Sequence, residues 1–300
     1  MVNILAIAIT IVGLIIFEII TSIDNAVINA EVLGTVSEKM KKWFLTWGML
    51  FAVGLMRGLL PLVLVMATHP DLGIFEALTF GLEGNSEEIQ QSVGVLLMGG
   101  GVFLIFIFLH WLFMEPKAYG LHGEKFFHRH SVWFYAVVSV FLTLLVWAAI
   151  TADPWLALGA VVGSTIFFIV NGFRLNAEKV EREMIHKKGL SDWSKIMYLE
   201  AIDASFSIDG VVGAFAFTVV VPLIIIGNGI GAIAVRQLTV HNIEKIKKYK
   251  YIKHGAMYSI AALGFIMIAE SFGMHIPGGL APVITFIFLG YFFWKSKKEM

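Results

Sequence analysis

No cysteine occurs among the 300 residues, so disulfides, thiolate metal sites and thiol catalysis are excluded, and any metal must be held by oxygen or imidazole. An excess of either charge is missing as well. Lys and Arg total 22 and so do Asp and Glu, which gives nucleic-acid binding no compositional support. The first apolar run, from Ile4, has no basic residue ahead of it and no small-residue cleavage site, and Glu18 and Asp24 interrupt it. It reads as a spanning helix rather than a signal peptide. What the chain has in abundance is apolar surface: 58% of its residues are hydrophobic and its mean hydropathy is +0.82, beyond what a water-soluble domain tolerates. The expectation is an all-α, polytopic membrane protein.

A helix crossing about 30 Å of hydrocarbon needs about 20 mostly apolar residues. By that ruler nine spans are expected, near 4–30, 44–67, 91–113, 132–151, 154–172, 195–217, 219–240, 255–273 and 277–294. Basic residues alternate with them. Lys39, Lys41 and Lys42 follow span one; Lys117, Lys125 and Arg129 span three; Arg174, Lys179, Arg182, Lys187 and Lys188 span five; Lys245, Lys247, Lys248, Lys250 and Lys253 span seven; Lys295, Lys297 and Lys298 the last. The connection from Thr68 to Gln90 carries Asp71, Glu76, Glu83, Glu87 and Glu88 instead. The positive-inside rule then puts the N-terminus outside and the C-terminus in the cytoplasm of a cell (plasma) membrane. Small residues recur where helices could approach closely: Gly54 and Gly58, Gly99 to Gly101, Gly159 and Gly163, Gly227 and Gly231.

Two segments repeat. Glu18 to Asn25 and Asp203 to Gly210 share an acid, three residues, Ser-Ile-Asp and a small or polar residue. The next spans continue the match, with nine positions from Gly48 to Arg57 and from Gly227 to Arg236. Span one runs inward and span six outward, so the units are expected to be inverted repeats with a site where their equivalent helices meet. The single transmembrane domain then comprises repeat A (4–113), an inserted pair (132–172), repeat B (195–273) and a final helix (277–294).

Carboxylates within hydrocarbon cost at least about 2.5 kcal/mol each and are functional by default. Glu18, Asp24, Glu200, Asp203 and Asp209 lie within spans, with Glu270 near the end of span eight. Arg57 and Arg236 are the charge-compensating candidates. Positions six apart on an ideal helix differ by about 240°, so a local break is expected at each Ser-Ile-Asp, baring carbonyls beside Asp24 and Asp209. Hard divalent cations favour carboxylate, amide and carbonyl oxygens together. The metal set expected is Glu18, Asp24, Asn25, Glu200, Asp203 and Asp209. Three other readings carry less. His122, His128 and His130 with Glu115 and Glu124 lie in one cytoplasmic loop that could bind a transition metal, but their loose spacing reads as a solvated loop; His69 and His110 read as interfacial; Trp43, Trp111, Trp133 and Trp294 as an aromatic belt.

These motifs resemble the TerC family of integral membrane proteins, the tellurium-resistance type. Its first motif, E-x4-[GS]-I-D-N, is similar to Glu18, Ser22 (shifted within the interval), Ile23, Asp24 and Asn25; its second, E-x2-D-x2-F-x2-D, to Glu200, Asp203, Phe206 and Asp209. Family members continue the second motif with Ser and a Pro two residues on, where this chain has Gly210 and Val212. The resemblance implies membership of a superfamily of exporters, with Mn²⁺ as the first expectation for the transported substrate and Ca²⁺ as the second. The expected partners are the lipid bilayer and the metal ion, with homo-oligomer formation left open. Two rival classes stand beside this non-enzymatic reading: a membrane stress-response scaffold with structural buried acids, and an intramembrane aspartyl protease, whose YD and GxGD strings are absent around Asp24 and Asp209.

Overall fold

The computed structural model describes residues 4–68, 72–80, 82, 87–186, 191–241 and 248–299. Among them every regular element is helical. His69, Asp71, Glu83 and the basic residues Lys187, Lys188, Lys245 and Lys247 lie outside the described residues.

The elements are α1 (Ile4–Thr21), α2 (Ile23–Leu33), α3 (Glu38–Trp43), α4 (Met49–Phe51), α5 (Leu60–Thr68), α6 (Ile74–Thr79), α7 (Glu87–Met114), α8 (His122–Arg129), α9 (Phe134–Ala152), α10 (Pro154–His186), α11 (Asp192–Ala214), α12 (Val221–His241), α13 (Ile252–Ser271) and α14 (Leu280–Lys298). Among the described residues seven helical stretches are long and apolar enough to cross a membrane: Ile4–Thr21, Glu38–Ala67, Val93–Met114, Ser131–Ala152, Pro154–Asn176, Val221–Leu238 and Ile252–Ser271. The expected sixth and ninth spans exist as helices, α11 and α14. Charge keeps them from qualifying, since α11 contains Asp192, Lys195, Glu200, Asp203 and Asp209, and α14 ends in three lysines.

The first span divides where its sequence turns polar. Thr21 returns its hydroxyl to the carbonyls of Phe17 and Glu18, and Ser22 takes φ −92° and ψ 1° between α1 and α2. Hydroxyl groups competing for helix carbonyls bend a helix in this way. The second Ser-Ile-Asp behaves otherwise. Ser207 also bonds back to the Asp203 carbonyl, yet α11 runs unbroken to Ala214, so the break expected at Asp209 is absent. The expected second span is one continuous rod in which π-helix occupies Phe44–Gly48 and Ala52–Leu59. Such wide turns concentrate at functional sites.

Around α7 the packing is densest. Val93–Met114 is 67% buried, against 17% for the α9 stretch, and α7 packs most extensively on α13 and α10. Glycine makes the approach possible, because a Cβ at Gly163 would overlap the Gly99 carbonyl, and one at Gly101 would lie 2.8 Å from the Gly264 carbonyl. Gly227 and Gly231 likewise face Leu14 and Glu18 of α1. Gly54 and Gly58 depart from the pattern, since a Cβ at Gly54 would meet nothing within 4 Å. A smaller apolar cluster of Val32, Leu33, Val36, Phe44, Ile196 and Leu199 ties the end of α2 to the start of α11.

Candidate functional site

Glu18, fully buried in α1, has space because its neighbours lack side chains. A Cβ at Gly231 would stand 2.6 Å from its Cβ, and one at Gly210 would overlap Oε2. The π-helical segment brings Arg57 to it, and Nε and Nη2 donate to Glu18 Oε1 at 3.1 and 2.7 Å. Ser22 Oγ donates to the same oxygen at 3.1 Å. From α12, Arg236 Nη2 donates to Glu200 Oε1 at 3.0 Å, while Nη1 reaches the Phe44 carbonyl at 3.1 Å and the guanidinium lies over the Phe44 ring. Gly48 is to Glu200 what Gly210 is to Glu18, for a Cβ there would overlap Glu200 Oε1.

Asp203 sits between the two arginines. Its Oδ2 is 3.6 Å from Arg57 Nη1 and 3.6 Å from Arg236 Nη2, its Oδ1 accepts from Asn25 Nδ2, and Arg57 also donates to Ser207 Oγ. The order is therefore Glu18, Arg57, Asp203, Arg236, Glu200, each guanidinium shared by two acids. Burying any one of these charges without a partner would be prohibitive. Arg57 and Arg236 thus stand in direct ion pairs with these acids.

The lattice leaves oxygens over. Glu18 Oε2, Asn25 Oδ1, Asn29 Oδ1, Glu200 Oε2 and Asn228 Oδ1 are buried and meet no hydrogen-bond donor among the described residues. A cavity of about 20 Å³, the space of a water molecule, is lined by Asn29, Met49, Val53, Arg57, Asp203, Ala232, Val235 and Arg236. Among the described residues no three His, Asp or Glu side chains gather closely enough to hold a metal by themselves, because the guanidinium groups stand between the acids.

The six expected ligands thus divide. Glu18, Asn25, Glu200 and Asp203 converge; the side chain of Asp24 lies outside the described residues; Asp209 is drawn elsewhere. Its Oδ2 pairs with Arg174 Nη2 at 2.5 Å. Arg174, read from the sequence as a connection residue, is inside α10, which runs 14 residues past the expected end of span five. Lys195 donates to Thr35, and Glu270 is half-buried near the end of α13.

The loop after α7 is more ordered than its sequence suggested. His122 opens α8, and His130 returns Nδ1 to the Phe126 carbonyl at 2.8 Å, so the histidines do not converge. Glu124 instead points inward, accepting from the Gly120 amide at 2.7 Å and Tyr258 Oη at 3.0 Å and pairing with His254 Nε2 at 3.1 Å. Burial raises its pKa, but His254, the Gly120 amide and Tyr258 outweigh burial and hold the carboxyl below its usual value of 4.5. A depressed carboxylate stabilises the fold above the unfolded pKa, and that contribution disappears as pH falls through the folded value. In detergent, Glu124→Gln is expected to melt below the native chain at pH 7, with the gap closing beneath pH 4.5. A gap unchanged down to pH 3 would contradict the assignment.

A family model described as a protein of unknown function (DUF475) matches residues 23–299. No curated protein and no solved structure matches the chain.

Proposed function

The chain belongs to the DUF475 family, whose description carries no activity, and we propose that it is a secondary transporter of divalent metal cations, Mn²⁺ first and Ca²⁺ second. One observation carries this reading: three carboxylates, each at most 8% exposed, are strung with two arginines in a single chain of ion pairs, and its middle acid, Asp203, lines a small cavity with both arginines. Arginines that neutralise buried acids are internal substitutes for a cation. A metal entering the lattice would displace them, and its departure would restore the pairs, so that the empty carrier need not carry naked charge through the bilayer. The carboxylates and amides that meet there are oxygen ligands, which suits hard ions.

Supporting the nine-span, inverted-repeat topology, with its N-terminus outside, is a reciprocity of contacts. The first span packs on α12 as the π-helical second span packs on α11, and α7 packs on α13. Those are the exchanges a twofold axis relating spans one to three with six to eight would impose. The likeness to TerC rests on the same residues, since Glu18, Glu200 and Asp203 are the motif acids that meet.

The test is flux of Mn²⁺ and Ca²⁺ into proteoliposomes bearing the full chain. Asp203→Asn retains the shape of the side chain but removes one charge, and is expected to lower flux at least about tenfold, the effect of about 1.4 kcal/mol. Glu38→Gln, on an exposed carboxylate that pairs only with Lys41 among the described residues, serves as the control and should transport normally. The competing scaffold reading draws on the same ion pairs, because each converging acid already has an arginine. It predicts no flux of any divalent cation by the native chain.

A further inference from the structure

A second, larger hollow shares no lining residue with the one beside Asp203. Its volume is about 470 Å³, and it lies among α5, α7, α10, α11 and α13. Helices α7 and α10 contribute chiefly from the first half of their spans, whereas α5, α11 and α13 contribute from their last two turns. Spans of alternating direction meet in this way at one depth, so the hollow sits toward one face of the membrane.

Every lining residue is apolar or glycine. Side chains left exposed on α10, namely Trp155, Leu158 and Val162, form the mouth; Leu96, Phe103, Val212, Phe215 and Met267, each at most 8% exposed, form the floor. The glycine seam is its origin. Gly99, Gly159 and Gly163 admit the close approach of α7 to α10, and they place no side chain in the space beside it.

What fills the crevice follows from its walls. Water gains nothing in an apolar hollow that offers no polar partner, and such hollows stay dry. Left empty, the floor would forfeit dispersion contacts on one side. The medium beside the exposed face of a spanning helix is hydrocarbon, and an acyl chain moving in from the bilayer loses no apolar surroundings while gaining close packing. We infer that this crevice binds an acyl chain of a membrane lipid. The inference is independent of the transport reading. Ile208 and Val212, on either side of Asp209, line the crevice, and Asp209 pairs with Arg174 of α10. The bound chain therefore packs between the two helices that this ion pair joins, and its loss loosens α10 from α11.

The experiment reconstitutes the full chain in phosphatidylcholine vesicles that include a phosphatidylcholine bearing a diazirine on one acyl chain. After irradiation the adducts are mapped by peptide mass spectrometry. They are expected on the floor residues Phe103, Phe215 or Met267, which the surrounding lipid cannot touch, as well as on the exposed Leu144 and Trp147 of α9. Ile208→Phe puts a ring into the crevice and should cut the floor adducts about tenfold while leaving those on α9 unchanged. Val162→Phe, at the exposed mouth and so the safer variant for folding, should act in the same direction. Floor adducts missing from the native chain, or undiminished in both variants, would overturn the inference. So would floor adducts that form only after a dimer has been dissociated, because the crevice would then belong to a second copy of the chain.

Discussion

Arg57→Ala is expected to destabilise the protein by about 3–5 kcal/mol, the cost of leaving a buried charge without its partner. Glu18 is fully buried and takes two of its hydrogen bonds from that one guanidinium, so in the variant it must either hold an uncompensated charge or take up a proton. The double variant Glu18→Gln, Arg57→Ala removes the orphaned charge and should recover more than half of the loss. Both are read as thermal unfolding of the purified protein in detergent. Equal losses in the single and double variants would show that the pair itself contributes nothing and that the damage comes from Arg57's contacts with Ser207 and Asp203.

A comparable loss, about 3 kcal/mol, is expected from Gly163→Ala, although only a methyl group is added. The new Cβ would overlap the backbone of Gly99, which cannot rotate aside as a side chain could, and overpacking of a tight interface costs about 1–3 kcal/mol or more. Gly172→Ala, in the same helix with nothing within 4 Å of its Cβ, should instead stabilise by about 0.5–1 kcal/mol through the reduced entropy of the unfolded chain. Unfolding midpoints that move in the same direction for both would rule out backbone contact as the reason for the glycine at 163.

The pairing of Arg57 and Arg236 with the motif acids was legible in the sequence because spans one and two repeat the spacings of six and seven, and few basic side chains lie within apolar stretches. The role of Arg174 was not. It follows an apolar run and is followed by more basic residues, so a count of charge places it in a connection, and only the continuation of α10 brings it against Asp209. Identical Ser-Ile-Asp strings also gave different backbones. Next to Ser22, Thr21 turns its hydroxyl on the helix carbonyls while Ser22 donates to the Glu18 carboxylate, whereas Ser207 returns its hydroxyl to Asp203 and receives Arg57 in an uninterrupted helix. Asn29 belongs to no repeated pattern, and only the folded chain places it on the cavity beside Asp203. Glu124 was hidden among charged and histidine residues that resemble a solvated loop, and its burial depends on Gly120, His254 and Tyr258, the last two more than 100 positions away in sequence.

The glycine contacts on both flanks of α7 have a mechanical consequence. With Gly99 seated against Gly163 on one side and Gly101 against Gly264 on the other, α7, α10 and α13 are keyed together like laminated boards. Sliding one past the next by a single residue, about 1.5 Å, would drive larger side chains into notches that only glycine fits. This plate resists shear and can move only as a whole. Compliance is left to the parts built differently: the joint at Ser22 and the two loosened turns on either side of Met49–Phe51. Glu18, one turn before that joint, and Arg57, within the second loosened turn, thus stand on the side of the molecule that lacks the keyed glycines.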